Sequence, residues 1–95
     1  MNSREEYIHK MQAKLEEWNA EIDTLTAKAD KVTSDIKNEY IEHIGELKAK
    51  QATARQKIEE LQQSGESAWE DLKSGIELAR IAMGEAIDSA RSRFK

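Results

Sequence analysis

The sequence predicts an all-α chain. Its expected form is a long helical hairpin, an antiparallel coiled coil with a long first helix and a shorter second one. Three observations carry this. The composition is 36% charged and 5% aromatic, with no proline and four glycines. That Ala/Glu/Lys/Leu/Arg-rich balance belongs to long helices and argues against a many-stranded β fold. Apolar residues recur three and four apart along nearly the whole chain. One strong break interrupts them, at Gln63-Ser64-Gly65-Glu66-Ser67. A length of 95 residues allows a single domain, residues 1–95. The alternative architecture is a three-helix bundle broken near residues 33–35.

The first helix is expected over about residues 3–63. It opens with a capping box, Ser3 with Glu6, and Glu5 and Glu6 suit the positive end of the helix dipole. The seam runs Ile8, Met11, Leu15, Trp18, Ile22, Leu25, Ala29, Val32 and Ile36. It then slips by a four-residue step to Tyr40 and Ile44, a stutter that unwinds a supercoil without ending a helix. It resumes at Leu47, Gln51, Ala54, Ile58 and Leu61, with Gln51 as a polar interruption. Val32-Thr33-Ser34-Asp35 is a cluster of weaker helix formers, and Gly45 costs about 1 kcal/mol relative to alanine. Both are read as tolerated inside one helix.

The turn is expected at residues 64–66, with Gly65 in the left-handed conformation that ends helices. The second helix, about 67–94, starts at a second capping box, Ser67 with Glu70. Glu66, Glu70 and Asp71 suit its start, and Arg91, Arg93 and Lys95 suit its end. Its seam is Trp69, Leu72, Ile76, Ala79, Met83, Ala86, Ala90 and Phe94. Folding the chain at Gly65 sets Leu61 opposite Trp69, Ile58 opposite Leu72, Ala54 opposite Ile76 and Gln51 opposite Ala79. Leu47 then faces Met83, Ile44 faces Ala86, Tyr40 faces Ala90 and Ile36 faces Phe94. The stutter in the first helix is matched by the Ala86-Ala90-Phe94 step. The expected hairpin core is therefore Ile36, Tyr40, Ile44, Leu47, Ile58, Leu61, Trp69, Leu72, Ile76, Met83 and Phe94. The isolated Gly45, Gly75 and Gly84 are expected at close helix approaches.

Chemistry-bearing constellations are sparse. Without cysteine there is no disulfide framework or thiolate metal site. Glu6-Tyr-Ile-His9 has the Glu-x-x-His spacing of di-iron bundles, but such sites need a second motif and two further inward glutamates. His43, with Glu39 and Glu46 one turn to either side, reads as an exposed ion-pairing turn. Trp18 and Trp69 sit at seam positions and read as core. No nucleophile–base–acid set and no phosphate-cradling glycine loop is recognisable. The reading is a non-enzyme with no catalytic residues, no metal ligands and no cofactor. A net charge of −4 with interspersed signs argues against nucleic acid as a partner. The first residues lack the apolar core of a signal peptide, and no stretch approaches the ~20 apolar residues of a transmembrane helix. The expected location is cytoplasmic.

Two surfaces suggest partners. In a hairpin, the seam formed by Ile8, Met11, Leu15, Trp18, Ile22, Leu25 and Val32 has no mate within the chain. Two copies crossing antiparallel would bury it, with Leu15 against Leu25 and Trp18 against Ile22, in an isologous dimer about 130 Å long. The second helix also carries Leu78, Ile81, Ala82 and Ile87 beside its seam. That wider arc is either a second packing surface or an amphipathic membrane face, and its acidic polar side favours packing.

Three segments carry a resemblance: Leu15-Glu-Glu-Trp18-Asn-Ala-Glu-Ile22-Asp, then Ser64-Gly-Glu-Ser-Ala-Trp69-Glu-Asp-Leu-Lys73, and Ala90-Arg-Ser-Arg-Phe94-Lys. Together they resemble a family of small bacterial coiled-coil domain-containing or stress-response proteins. The Ile44-Gly45 pair departs from that family's unbroken Glu/Leu-rich run. The resemblance implies a bacterial source, an all-helical structure and a stress-related role, and supplies no catalytic residues. The functional expectation is a homo-oligomeric coiled-coil protein, structural or a scaffold for another protein. The alternative is a peripheral membrane-surface protein using the apolar face of the second helix.

Overall fold

The computed structural model describes residues 3–65 and 67–94. Three α-helices follow one another: α1 (Ser3–Ala29), α2 (Ser34–Gln63) and α3 (Trp69–Arg93). No strand occurs among the described residues. The helices pack against each other, α2 along both neighbours and α1 against α3 more sparingly.

The expected continuous first helix is corrected. Residues 30–33 are not helical, and α2 starts afresh after an extended Thr33 (φ −68°, ψ 160°). A helix over 3–63 would be about 90 Å long; the chain's longest extent is 51 Å. Magnitudes explain the break. Interrupting the helix gives up a few backbone hydrogen bonds, each worth about 0.5–1.5 kcal/mol net. Folding α1 back buries Ile8, Met11, Trp18, Ile22 and Leu25, each worth about 1.5–3 kcal/mol. The Val32-Thr33-Ser34 run, poor in helix propensity, is where the joint costs least. The Lys31 N–H still bonds Lys28 O (3.0 Å) and the Lys37 N–H bonds Thr33 O (2.8 Å), so the joint is a tight turn.

Within each helix the seam is regular. In α1 it is Ile8, Met11, Trp18, Ile22, Leu25 and Ala29, with Tyr7 buried beside it. In α2 it is Tyr40, Ile44, Leu47, Gln51, Ala54, Ile58 and Leu61. The apparent stutter marks the joint between two helices of different phase. Ile36, expected in the core, lies just beyond that joint and is 46% exposed.

Cross-helix contacts fix the directions. Tyr7 meets Trp69, and Arg91 pairs with Glu21 at 3.8 Å, so α1 and α3 run parallel. The Gln51 amide donates to Leu15 O at 3.2 Å, and Tyr40 stacks on Phe94 at 3.8 Å, so α2 runs antiparallel to both. Gln51 thus ties α2 to α1, not to Ala79. The α2–α3 register also differs from expectation, since Phe94 lies on Tyr40 and not on Ile36. His43 meets the edge of Phe94 (5.2 Å, 86°), and its expected neighbour Glu39 binds Arg93 at 2.7 Å.

The cause of the register shift is a longer second turn. Ser64 is extended (φ −80°, ψ 157°), with both its N–H and its hydroxyl bonded to Leu61 O. The Ala68 N–H bonds Gly65 O, and α3 begins only at Trp69. Gly65 does not take a left-handed φ, because Ser64 already turns the chain out of the helix. The expected Ser67–Glu70 capping box is likewise corrected: Ala68 is the N-cap, in the αR region, without a side-chain cap. Glu66 and Lys95, assigned above to helix ends, lie outside the described residues. Gly45 and Gly84 are not close-approach positions, since an added Cβ at either meets nothing within 4 Å.

Candidate functional site

The residues expected at an oligomer interface lie in the chain's own core. Ile8, Met11, Trp18, Ile22 and Leu25 are buried, and Leu15 and Val32 are half-buried against the same cluster. The expectation that this seam has no mate within the chain is therefore corrected, because α2 and α3 cover it. Of the expected hairpin core, Tyr40, Ile44, Leu47, Ile58, Leu61, Ile76, Met83 and Phe94 are buried. Trp69 and Leu72 pack at the core's margin, half-buried. Glu70 is exposed near the start of α3.

At one end, α1 and α3 meet through an aromatic and charged cluster. The Tyr7 and Trp69 rings are 6.5 Å apart and tilted by 52°. The Lys73 ammonium lies over both, 5.3 Å from Tyr7 and 5.2 Å from Trp69, a cation–π arrangement. Arg80 Nε donates to Glu77 Oε2 at 2.6 Å. The Tyr7 hydroxyl is buried with no hydrogen-bond partner. Glu77 lies close enough for its charge to act on that hydroxyl. Burial, then the Glu77 charge, pushes the Tyr7 phenol up to about 12. The Arg80 hydrogen bond holds the Glu77 carboxyl below its ordinary range. Arg4 closes this end by donating from Nη1 to Ser64 O. The cluster fastens three elements together and presents no nucleophile beside a base.

Further along, an open groove of about 500 Å³ separates α1 from α3, with Trp18, Gly84 and Ile87 on its floor. Its rim charges are largely satisfied: Lys14 binds Glu17 at 3.1 Å and Arg91 binds Glu21 at 3.8 Å. Glu6 and His9 are both exposed. Among the described residues, no group of three or more His, Asp or Glu could hold a metal ion. No described helix is long and apolar enough to cross a membrane.

The feature that stands out is the outer face of α3. Asp71, Ser74, Leu78, Ile81, Glu85, Asp88 and Ser92 recur three and four apart, and all are exposed. They form a second stripe opposite the buried one. Leu78 is 70% exposed and Ile81 51% exposed, side by side at its centre. Ile36 and Ile41 on α2 are exposed too but five residues apart, whereas Leu78 and Ile81, three apart, share one helix face.

Comparison of the chain with protein-family models, with characterised proteins and with solved structures gave no match.

Sequence reading missed Tyr7. A helix packed against two others buries a wider arc than a two-stranded seam, and Tyr7, one turn before the seam residue Met11, lies on that wider arc. The same width explains Ile87, which is buried, beside Leu78 and Ile81, which are not.

Proposed function

We propose that this protein is a non-enzymatic helix-docking module, a compact three-helix bundle that acts by helix–helix association through the outer face of α3. The observation that carries this reading is the adjacent, exposed Leu78 and Ile81 on a stripe of heptad spacing. A bundle that has buried its other seams has no internal use for such a stripe, and a second helix laid along it would remove both side chains from water. The homo-oligomer expected from the sequence loses its motive, since the seam it was to share is covered within one chain. A scaffold role remains the better reading, and a stress-related setting rests on the resemblance alone.

Photo-crosslinking in the cells that make the protein tests this. A photoreactive residue replaces Ala82 on α3 or, as control, Glu60 on α2, both exposed. Discrete adducts from position 82 and none from position 60 are expected. Equal labelling from the two positions, or none from either, would overturn the reading.

A further inference from the structure

The charges of α3 are sorted by side. Among the described residues its basic side chains are all engaged within the chain, and none lies on the outer stripe. Lys73 covers the Tyr7 and Trp69 rings, Arg80 binds Glu77, Arg91 binds Glu21 and Arg93 binds Glu39. Four exposed carboxylates, Glu70, Asp71, Glu85 and Asp88, have no ion pair within the described structure. They flank Leu78 and Ile81 on both sides, Glu70 and Asp71 towards the start of α3, Glu85 and Asp88 towards its end. The stripe from Asp71 to Asp88 spans about 26 Å, roughly five helical turns.

This order discriminates among occupants. In a second copy docked antiparallel, Leu78 meets Ile81, and the same register sets Asp71 opposite Asp88. A parallel second copy sets every acid opposite itself. Like charges directly opposed at a helix interface oppose pairing. An anionic membrane surface meets the same repulsion. A helix with two apolar side chains at its centre and lysine or arginine about two turns to either side satisfies both parts of the stripe.

Resting on the docking reading above, we infer that the outer face of α3 binds a basic amphipathic helix of another protein, with Leu78 and Ile81 as the apolar contact and Asp71, Glu85 and Asp88 as the charged clamps. Apolar contact supplies the affinity, and the carboxylates choose the partner and speed its approach.

The test is selection from a displayed library of 20-residue amphipathic helices whose central positions are apolar and whose flanking positions vary in charge. Wild-type protein and the Leu78→Ser/Ile81→Ser variant are compared as bait. Enrichment of Lys/Arg-flanked helices on wild type, at least tenfold over the variant, is expected. For the selected peptides, Asp71→Asn/Asp88→Asn should weaken binding about tenfold and flatten its salt dependence. Enrichment of acidic or uncharged flanks would overturn the charge inference while leaving the docking surface standing. No enrichment over the variant, or self-adducts alone in the crosslinking experiment, would overturn the inference from the side of the surface itself.

Discussion

Phe94 is the residue whose removal tests the packing register most sharply. Its ring keeps 5% exposure, stacks on Tyr40 at 3.8 Å and 21°, and receives the His43 ring on its edge. An interior Phe→Ala substitution costs about 3–5 kcal/mol. Phe94 is the C-cap of α3, where the last turn can relax outward, so the cost falls at or below the bottom of that range, about 2–3 kcal/mol. Of that, about 0.5–1.5 kcal/mol belongs to the aromatic pair beyond simple burial. A double-mutant cycle with Tyr40→Ala isolates this part. Urea unfolding followed by tryptophan fluorescence is the assay, with m unchanged as the sign that both states keep their compactness. A parallel cycle with Ile36→Ala reads the register that the sequence suggests. A Phe94→Ala cost below about 0.5 kcal/mol, or coupling to Ile36 in place of Tyr40, would refute the packing described.

Three further outcomes follow from named geometry. Gly65→Ala is expected to be neutral or stabilising by up to about 1 kcal/mol in thermal unfolding, since Gly65 lacks a left-handed φ and a Cβ there meets nothing; a cost above 1 kcal/mol would mean a strained turn. Tyr7→Phe should leave the melting temperature unchanged or raise it, because a buried hydroxyl without a partner gives stability nothing. The Tyr7 phenol titrates above its ordinary value of 10 in the folded state, at about 12. Ionising it therefore costs more in the folded than in the unfolded chain, so folding stability is unaffected below pH 10 and falls as pH rises towards 12, by roughly 1–2 kcal/mol. That alkaline loss should be smaller in Tyr7→Phe, and equal slopes for the two proteins would count against it. Leu78→Ser/Ile81→Ser should change unfolding free energy by less than about 0.5 kcal/mol, being on the surface; a large loss would show that this face supports the fold.

The sequence made the helices legible because each buries one stripe at regular spacing, and the end of α2 at Gln63 lies next to the Ser64-Gly65 break. The joint at residues 30–33 was harder to read. It contains no glycine or proline, and what decides it is burial of the α1 seam, a tertiary term that no local signal encodes. The same blindness displaced Phe94 by one turn, since the length of the 64–68 turn depends on backbone bonds at Leu61, Ser64 and Gly65. For the surface of α3, the sequence offered the extra apolar residues Leu78, Ile81 and Ile87 together. Only packing separates Ile87, in the core, from Leu78 and Ile81, in water. The sorting of charges was equally hidden, because interspersed acids and bases look uniform until Lys73, Arg80, Arg91 and Arg93 are seen to be engaged within the chain.

The central claim is that the Leu78–Ile81 face of α3 receives a basic helix. Methyl-resolved NMR, with isoleucine and leucine labelled, reads it directly during titration with a Lys-flanked amphipathic peptide from the library. The Leu78 and Ile81 methyl signals should shift together and saturate, while those of Ile36 and Ile41, equally in water on α2, stay in place. Shifts centred on Ile41, or spread evenly over all four residues, would contradict the account.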